Sequence, residues 1–186
     1  MDELLDFIVE AKSKTYVGDN VPSAACRPAS HDIAYERGAW RYLDSYFGRT
    51  DFLGQEVVWW KGEPVWAMNY YGRVLMPDLI DAVVAGTVIR DALSALYRTG
   101  RFLGEYDHRS GIYDYTDRST TNLESFIGLE RIHVGENEVY RLDYHGGLIK
   151  PRDGCNRPAL AGRRSARTPH RHCVRDPSPY AAPGLG

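Results

Sequence analysis

Apolar residues recur at helical spacing near the start of the chain, where Leu4, Leu5, Ile8 and Ala11 form a stripe. This predicts a helix over 3–14, with the Asp2 carboxylate placed to accept the free amides of its first turn. Residues 18–30 combine Gly, Asn, Pro and small polar side chains and read as a loop. The period then changes to two. Between Asp32 and Phe47 an Arg37-Gly38 turn separates Ile33 and Tyr35 from the alternating Trp40, Tyr42, Asp44 and Tyr46, which is a hairpin pattern. Strands over 55–60 and 64–71 follow, joined by Lys61-Gly62-Glu63 and rich in β-branched and aromatic residues.

A second helical pattern covers 77–98. Pro77 suits a first turn, and the stripe from Leu79 to Leu96 is interrupted at Gly86-Thr87, so the reading is one broken helix or two. After a loop at 99–111 come strands at 112–116 and 123–127, then a hairpin in which Ile132 and Val134 face 139–144 across Gly135-Glu136-Asn137. Short turns between consecutive strands imply antiparallel pairing. The fold class expected is α+β: a curved antiparallel sheet of hairpins carrying an N-terminal helix and a central broken helix. No internal repeat is evident in this pattern.

Composition divides the chain near Lys150. Residues 151–186 hold seven Arg and two Asp, six of the ten Pro and one aromatic, Tyr180. That segment is therefore +5, and a net charge of -2 overall leaves -7 for residues 1–150. A segment so poor in apolar side chains cannot offset its ordering entropy, so the expectation is a single α+β domain over 1–150 followed by a disordered basic Pro/Arg-rich tail over 151–186. A read-through or frameshifted origin of the tail is an alternative. Its arginines are scattered, and Cys155, His170, His172 and Cys173 match no paired zinc spacing, so neither a nucleic-acid grip nor a metal site is expected there. No window supplies the ~20 apolar residues of a membrane helix. The acidic start MDELLDFIVEAK is unlike a signal peptide, and three cysteines make a poor disulfide framework, so a cytoplasmic setting is expected.

Candidate chemistry concentrates between Trp40 and Gly72. Strand alternation puts Trp40, Tyr42, Asp44 and Tyr46 on one face, Glu56, Val58 and Trp60 on another, and Trp66, Met68 and Tyr70 on a third. Should these faces coincide, they make an aromatic pocket with polar tips, the mixture found in small-molecule sites. The candidate ligand-binding residues are Tyr42, Asp44, Tyr46, Glu56, Trp66, Asn69 and Tyr71. Catalytic residues are unassigned, with Asp44 and Glu56 as candidate general acids or bases and His31 and His145 as assistants. The competing reading is that these groups are core filling and buried polar anchors. Cys26 has no neighbouring base and is expected to be inert. Phosphate loops, G-x-S-x-G elbows and H-E-x-x-H are absent, and neither a cofactor nor a metal is expected.

The segments SHDIAYERGAWRYLDSYFG (30–48), FLGQEVVWWKGEPVWAMNYYGRVL (52–75), VYRLDYHGGLI (139–149) and LLDFIVEAKSKTYVGD (4–19) carry a likeness. They resemble an uncharacterised bacterial domain of unknown function that occurs alone or C-terminal to XRE-type helix-turn-helix segments. The resemblance implies an accessory or sensory role and supplies no catalytic residues. Its DNA-binding half has no counterpart here, so no direct nucleic-acid contact is expected. The function expected is an uncharacterised ligand-binding or sensory module, accessory to transcriptional regulation, with a small molecule in an aromatic pocket. The alternatives are a small hydrolase or isomerase using a buried Asp or Glu, and a protein-interaction module. The partners expected are a small molecule or a protein, and no membrane.

Overall fold

A computed structural model describes residues 2–15 and 22–150. The reading of 151–186 as a tail lies outside the described residues. Met1–Lys150 forms one compact unit. Helix α1 (Asp2–Thr15) precedes strands β1 (Pro22–Ser23), β2 (His31–Arg37), β3 (Trp40–Gly48), β4 (Phe52–Trp60) and β5 (Glu63–Val74). Helix α2 (Ala82–Tyr97) then leads into β6 (Tyr106–Ser110), β7 (Tyr113–Ser119), β8 (Ser125–Val134) and β9 (Asn137–Leu148). All nine strands join one antiparallel, open sheet in the order β1-β2-β3-β4-β5-β9-β8-β7-β6. The α+β class with helices on a curved sheet is what the periodicities imply.

Several details differ from the sequence reading: β1 lies within the stretch read as a loop over 18–30, and the runs at 123–127 and 132–134 belong to one strand, β8. Residues 82–97 form one uninterrupted helix that starts later than the predicted 77, where the Asp81 carboxylate caps it by accepting from Val84 N at 2.8 Å, so Pro77 precedes the helix instead of entering its first turn. Gly86 and Thr87 lie inside it, and the Thr87 hydroxyl is satisfied by the Val83 carbonyl. Strand β6 occupies part of the stretch read as a loop, since YDHRS at a sheet edge shows no apolar alternation. Strands β4 and β5 run longer than the apolar runs that announced them, to Phe52 and Val74.

The core lies between the inner face of the sheet and the two helices. Helix α1 buries Leu4, Phe7, Ile8, Ala11, Lys12 and Thr15, and α2 buries Ala85, Val88, Ile89, Ala92, Leu93 and Leu96. From the sheet come Tyr42, Val58, Trp66, Met68, Tyr70, Tyr115, Ile132, Tyr140 and Tyr144. The β4–β5 turn needs two positive-φ positions, at Lys61 and Gly62, which is the geometry that matches the strand twist of a tight hairpin.

Strand pairing reveals an internal repeat that the linear pattern concealed. Each half of the domain is a helix followed by a four-stranded meander, β2–β5 and β6–β9, with the two-residue β1 added at the edge of the first, and the meanders meet at their last strands, β5 and β9. Gly54-Gln55-Glu56-Val57-Val58 corresponds to Gly128-Leu129-Glu130-Arg131-Ile132, Met68-Asn69-Tyr70-Tyr71-Gly72 to Leu142-Asp143-Tyr144-His145-Gly146, and Tyr42-x-Asp44 to Tyr115-x-Asp117. Tyr70 pairs directly with its own counterpart Tyr144, and the flanking pairs Met68↔Gly146 and Gly72↔Leu142 exchange roles around it. The register irregularities also correspond, falling after Val58 in one half and after Ile132 in the other. An approximate two-fold axis therefore passes through the middle of the β5–β9 pair. Buried positions of the helices follow the same relation, with Ile8 matching Ile89, Ala11 matching Ala92 and Lys12 matching Leu93.

Candidate functional site

The inner-face rows around this axis carry carboxyl groups where a core ordinarily has none. Register aligns Asp44, Glu56, Met68, Gly146 and Phe126 across five strands, and Asp117, Glu130, Leu142 and Gly72 in the matching row. Asp44, Glu56, Asp117 and Glu130 are all buried. The α1 stripe places Lys12 over them, and its ammonium bonds Glu56 Oε1 at 2.6 Å with both side chains 7% exposed. A lysine is the residue that lets this face of α1 close over acids, because an ion pair is the condition under which such charges enter a core.

Two tyrosines complete the arrangement. Tyr70 donates to Asp44 Oδ1 at 2.5 Å, and its counterpart Tyr144 donates to Asp117 Oδ1 at 2.7 Å. Each ring lies over a glycine of the next strand, and the glycine is required for that approach. A Cβ at Gly54 would meet the Tyr70 ring and hydroxyl at 2.3–2.4 Å, and one at Gly128 would stand 2.0 Å from Tyr144. Burial pushes the Asp44 carboxyl up to about 7, with the nearby Glu56 charge adding to it against the Tyr70 hydrogen bond. Burial likewise raises Asp117 to about 6, and raises Glu130 to about 8 with help from the Asp117 charge. Such carboxyls exchange protons near neutral pH.

A cavity of about 270 Å³ opens onto this group between the sheet and α2. Its depth is lined by Lys12, Asp44, Glu56 and Glu130, its sides by Tyr46, Phe52, Tyr70, Tyr140 and the Ala85, Gly86, Ile89, Leu93 edge of α2, and its exposed rim carries Arg49 and Arg90. Glu56 Oε2 and Glu130 Oε2 are fully buried with no hydrogen-bond partner. Unmade hydrogen bonds of this kind are costly.

Of the residues singled out from the sequence, Asp44, Tyr46 and Glu56 line this cavity. Tyr42 and Trp66 are on the same face but fill the core, 1% and 0% exposed. Asn69 and Tyr71 alternate to the outer face, where Asn69 accepts from Gln55 and Tyr71 lies under the Arg73 guanidinium. His145 is exposed on that outer face next to Asn69. His31 is exposed at the start of β2 with its ring 5.1 Å from Tyr46, beside the cavity rather than in it. Lys12 and Glu130 belong to the site and escaped the sequence reading, while Tyr70, placed on a pocket face by its alternation, was not among the candidate ligand residues. Lys12 had a signal, a cation at a buried position of an apolar helical stripe.

Among the described residues no group of three His, Cys, Asp or Glu is arranged to hold a metal ion, and no helix is long and apolar enough to cross a membrane. Fold and site together define an α+β domain with a polar-floored cavity under its second helix. The chain belongs to a family defined as a domain of unknown function, DUF5680, whose model matches residues 44–149. No curated protein and no solved structure matches the chain.

Proposed function

We propose that the domain binds a small molecule in the cavity between the sheet and α2. The observation that carries this is a cavity of about 270 Å³ whose lining joins three buried carboxyl side chains, Asp44, Glu56 and Glu130, to the rings of Tyr46, Phe52, Tyr70 and Tyr140. A core built only for stability gains little from buried carboxyl groups, because a polar group taken out of water costs free energy. Polar groups on the guest meet the carboxyls, and the rings provide apolar area. A sensory role beside a transcriptional regulator fits this picture, with the α2 wall as the part of the fold that responds to occupancy.

A metabolite screen by thermal shift tests the proposal. A true ligand at a hundred times its Kd stabilises the domain by ~2.7 kcal/mol, and a broad library without a single hit refutes it. A second reading, acid–base chemistry on a bound substrate, is favoured by one observation, the Asp44 carboxyl held near 7 at the cavity wall. Turnover of a screened hit that is lost in Asp44→Asn would establish it.

A further inference from the structure

The charged groups that line the cavity divide by depth. On its floor the Lys12 ammonium is bonded to Glu56, and the Tyr70 hydroxyl donates to Asp44, so both are answered from within the protein. Burial raises Glu130 to about 8, which keeps it protonated at neutral pH. The mouth differs. Among the described residues of the lining, the exposed ones are Arg49, Thr50 and Arg90: two cations, a hydroxyl and no acid. Elsewhere in the domain arginines stand against carboxylates, as Arg131 does on Glu138 and Arg118 on Asp107. Neither Arg49 nor Arg90 makes an ion pair among the described residues, although acids outnumber bases in residues 1–150. The nearby acids are engaged otherwise, Asp51 accepting from Val74 N and Asp81 from Val84 N. Arg90 lies back along α2, with Nη2 3.4 Å from Thr87 Oγ1 and Nη1 3.6 Å from the place a Gly86 Cβ would take. Gly86 is itself part of the lining, so this guanidinium rests at the cavity's edge.

The two-fold relation indicates what fits below that mouth. Phe102, 5% exposed, meets Trp66 edge-on at 5.7 Å and Phe126 edge-on at 6.1 Å. The counterparts of Trp66 and Phe126 across the axis are Tyr140 and Phe52, and both line the cavity. The cavity is thus the symmetry mate of a socket that holds a phenyl ring. We infer that the ligand is an aromatic carboxylate: a planar ring seated against Phe52 and Tyr140, with its carboxylate at the mouth accepting from Arg49 and Arg90. This rests on the cavity being a ligand site. Polar atoms of the ring meet the floor, while the charge stays at the mouth. Edge-on walls suit a flat π-system, and the paired N–H groups of a guanidinium match the two oxygens of a carboxylate in charge-assisted bonds. An apolar cavity of ~150 Å³ holds a benzene ring, so about 270 Å³ accommodates one or two fused rings and a short acid chain.

The test is calorimetric titration of the full chain with 3-phenylpropionate and indole-3-propionate, against 3-phenylpropan-1-ol, 3-phenylpropylamine and 3-cyclohexylpropionate as charge and ring controls. The aromatic acids are expected to bind at least roughly tenfold more tightly than each control. In a chain carrying both Arg49→Gln and Arg90→Gln, two substitutions at exposed positions, the advantage of 3-phenylpropionate over the alcohol is expected to disappear while the alcohol binds as before. Equal or absent binding of all five probes overturns the inference, as does an advantage that survives the loss of both arginines. Tighter binding of 2-phenylethyl phosphate than of either acid would overturn the carboxylate head. Gly86→Leu extends a side chain from α2 into the cavity, and α2 tolerates it because a Cβ there meets only Arg90 Nη1 at 3.6 Å. Should the acids fail, screening hits that Gly86→Leu abolishes would leave the binding reading standing with another ligand class, and their absence would remove both.

Discussion

Replacing Lys12 by leucine isolates the energetics of the buried charges, and the fold supplies the control. Leucine is what stands at the matching position of α2, so the inner face accommodates that side chain in the related environment of Leu93. At 2.6 Å and an effective dielectric of about 20, the Lys12–Glu56 attraction is roughly 6 kcal/mol before desolvation is subtracted. Desolvating two buried ions offsets much of this, so the intact pair contributes little net stability. Removing one member is different. Glu56 remains 6% exposed without its cation, near Asp44 and the other buried acids, and a stranded buried charge costs about 3–5 kcal/mol. That is a large share of the 5–15 kcal/mol typical of a domain. Urea unfolding at pH 7 followed by circular dichroism is expected to show a loss of this size for Lys12→Leu. Lys12→Leu with Glu56→Gln is expected to recover most of it, since the neutral amide carries no unpaired charge. A Lys12→Leu variant within ~1 kcal/mol of the native chain would refute the reasoning, because the acids would then not depend on that cation.

Stability is expected to fall as pH rises through the neutral range. Asp44, Asp117 and Glu130 titrate at about 7, 6 and 8 in the folded chain, against 3.8, 3.8 and 4.5 for the free side chains. The folded state therefore holds the extra protons between about pH 4 and 8. The stability they confer is present below that window and is lost across it, by on the order of a few kcal/mol. Asp32 acts only below it: burial raises its carboxyl, but hydrogen bonds from Cys26, Ser45 and Ser30 outweigh that and hold it well under the usual range. Urea midpoints at pH 5 and 8.5 check the sign, and a higher midpoint at 8.5 would contradict it. Glycine substitutions are expected to split by position. Gly128→Ala drives a Cβ into the Tyr144 ring and is expected to cost about 1–3 kcal/mol. Gly86→Ala, in open helix, is expected to stabilise by roughly 1 kcal/mol, and urea unfolding reads both changes.

Much of this was legible in the chain because local pattern and tertiary role agree. The period-two runs at Trp40–Phe47 and Gln55–Trp60 are strands whose inner residues are the buried ones, and Asp44 and Glu56 share a row because register pairs them directly. Where alternation was broken, the reading failed: Tyr106–Ser110 pairs with β7 through its backbone and through ion pairs such as Asp107–Arg118, and shows no apolar alternation. Asn69 and Tyr71 belong to a polar-aromatic string whose alternate members point apart, so composition grouped what geometry separates. The repeat escaped because only inner positions retain it. Gln55, Val57, Asn69 and Tyr71 face Leu129, Arg131, Asp143 and His145 as their outer counterparts, and half of each string therefore looks unrelated. Glu130 was invisible for the same reason, since without the repeat nothing links it to Glu56. Lys12 could have been found from the stripe alone, by asking what a cation on a buried helical face must neutralise.

Methyl-resolved NMR titration with a stabilising hit tests the binding site most directly. If the cavity is that site, the Ile89, Leu93, Leu142 and Met68 methyls shift on titration while Leu53 and Ile127, exposed on the outer face, stay in place. Shifts confined to Leu53 and Ile127, with the cavity methyls unmoved at saturation, would contradict it.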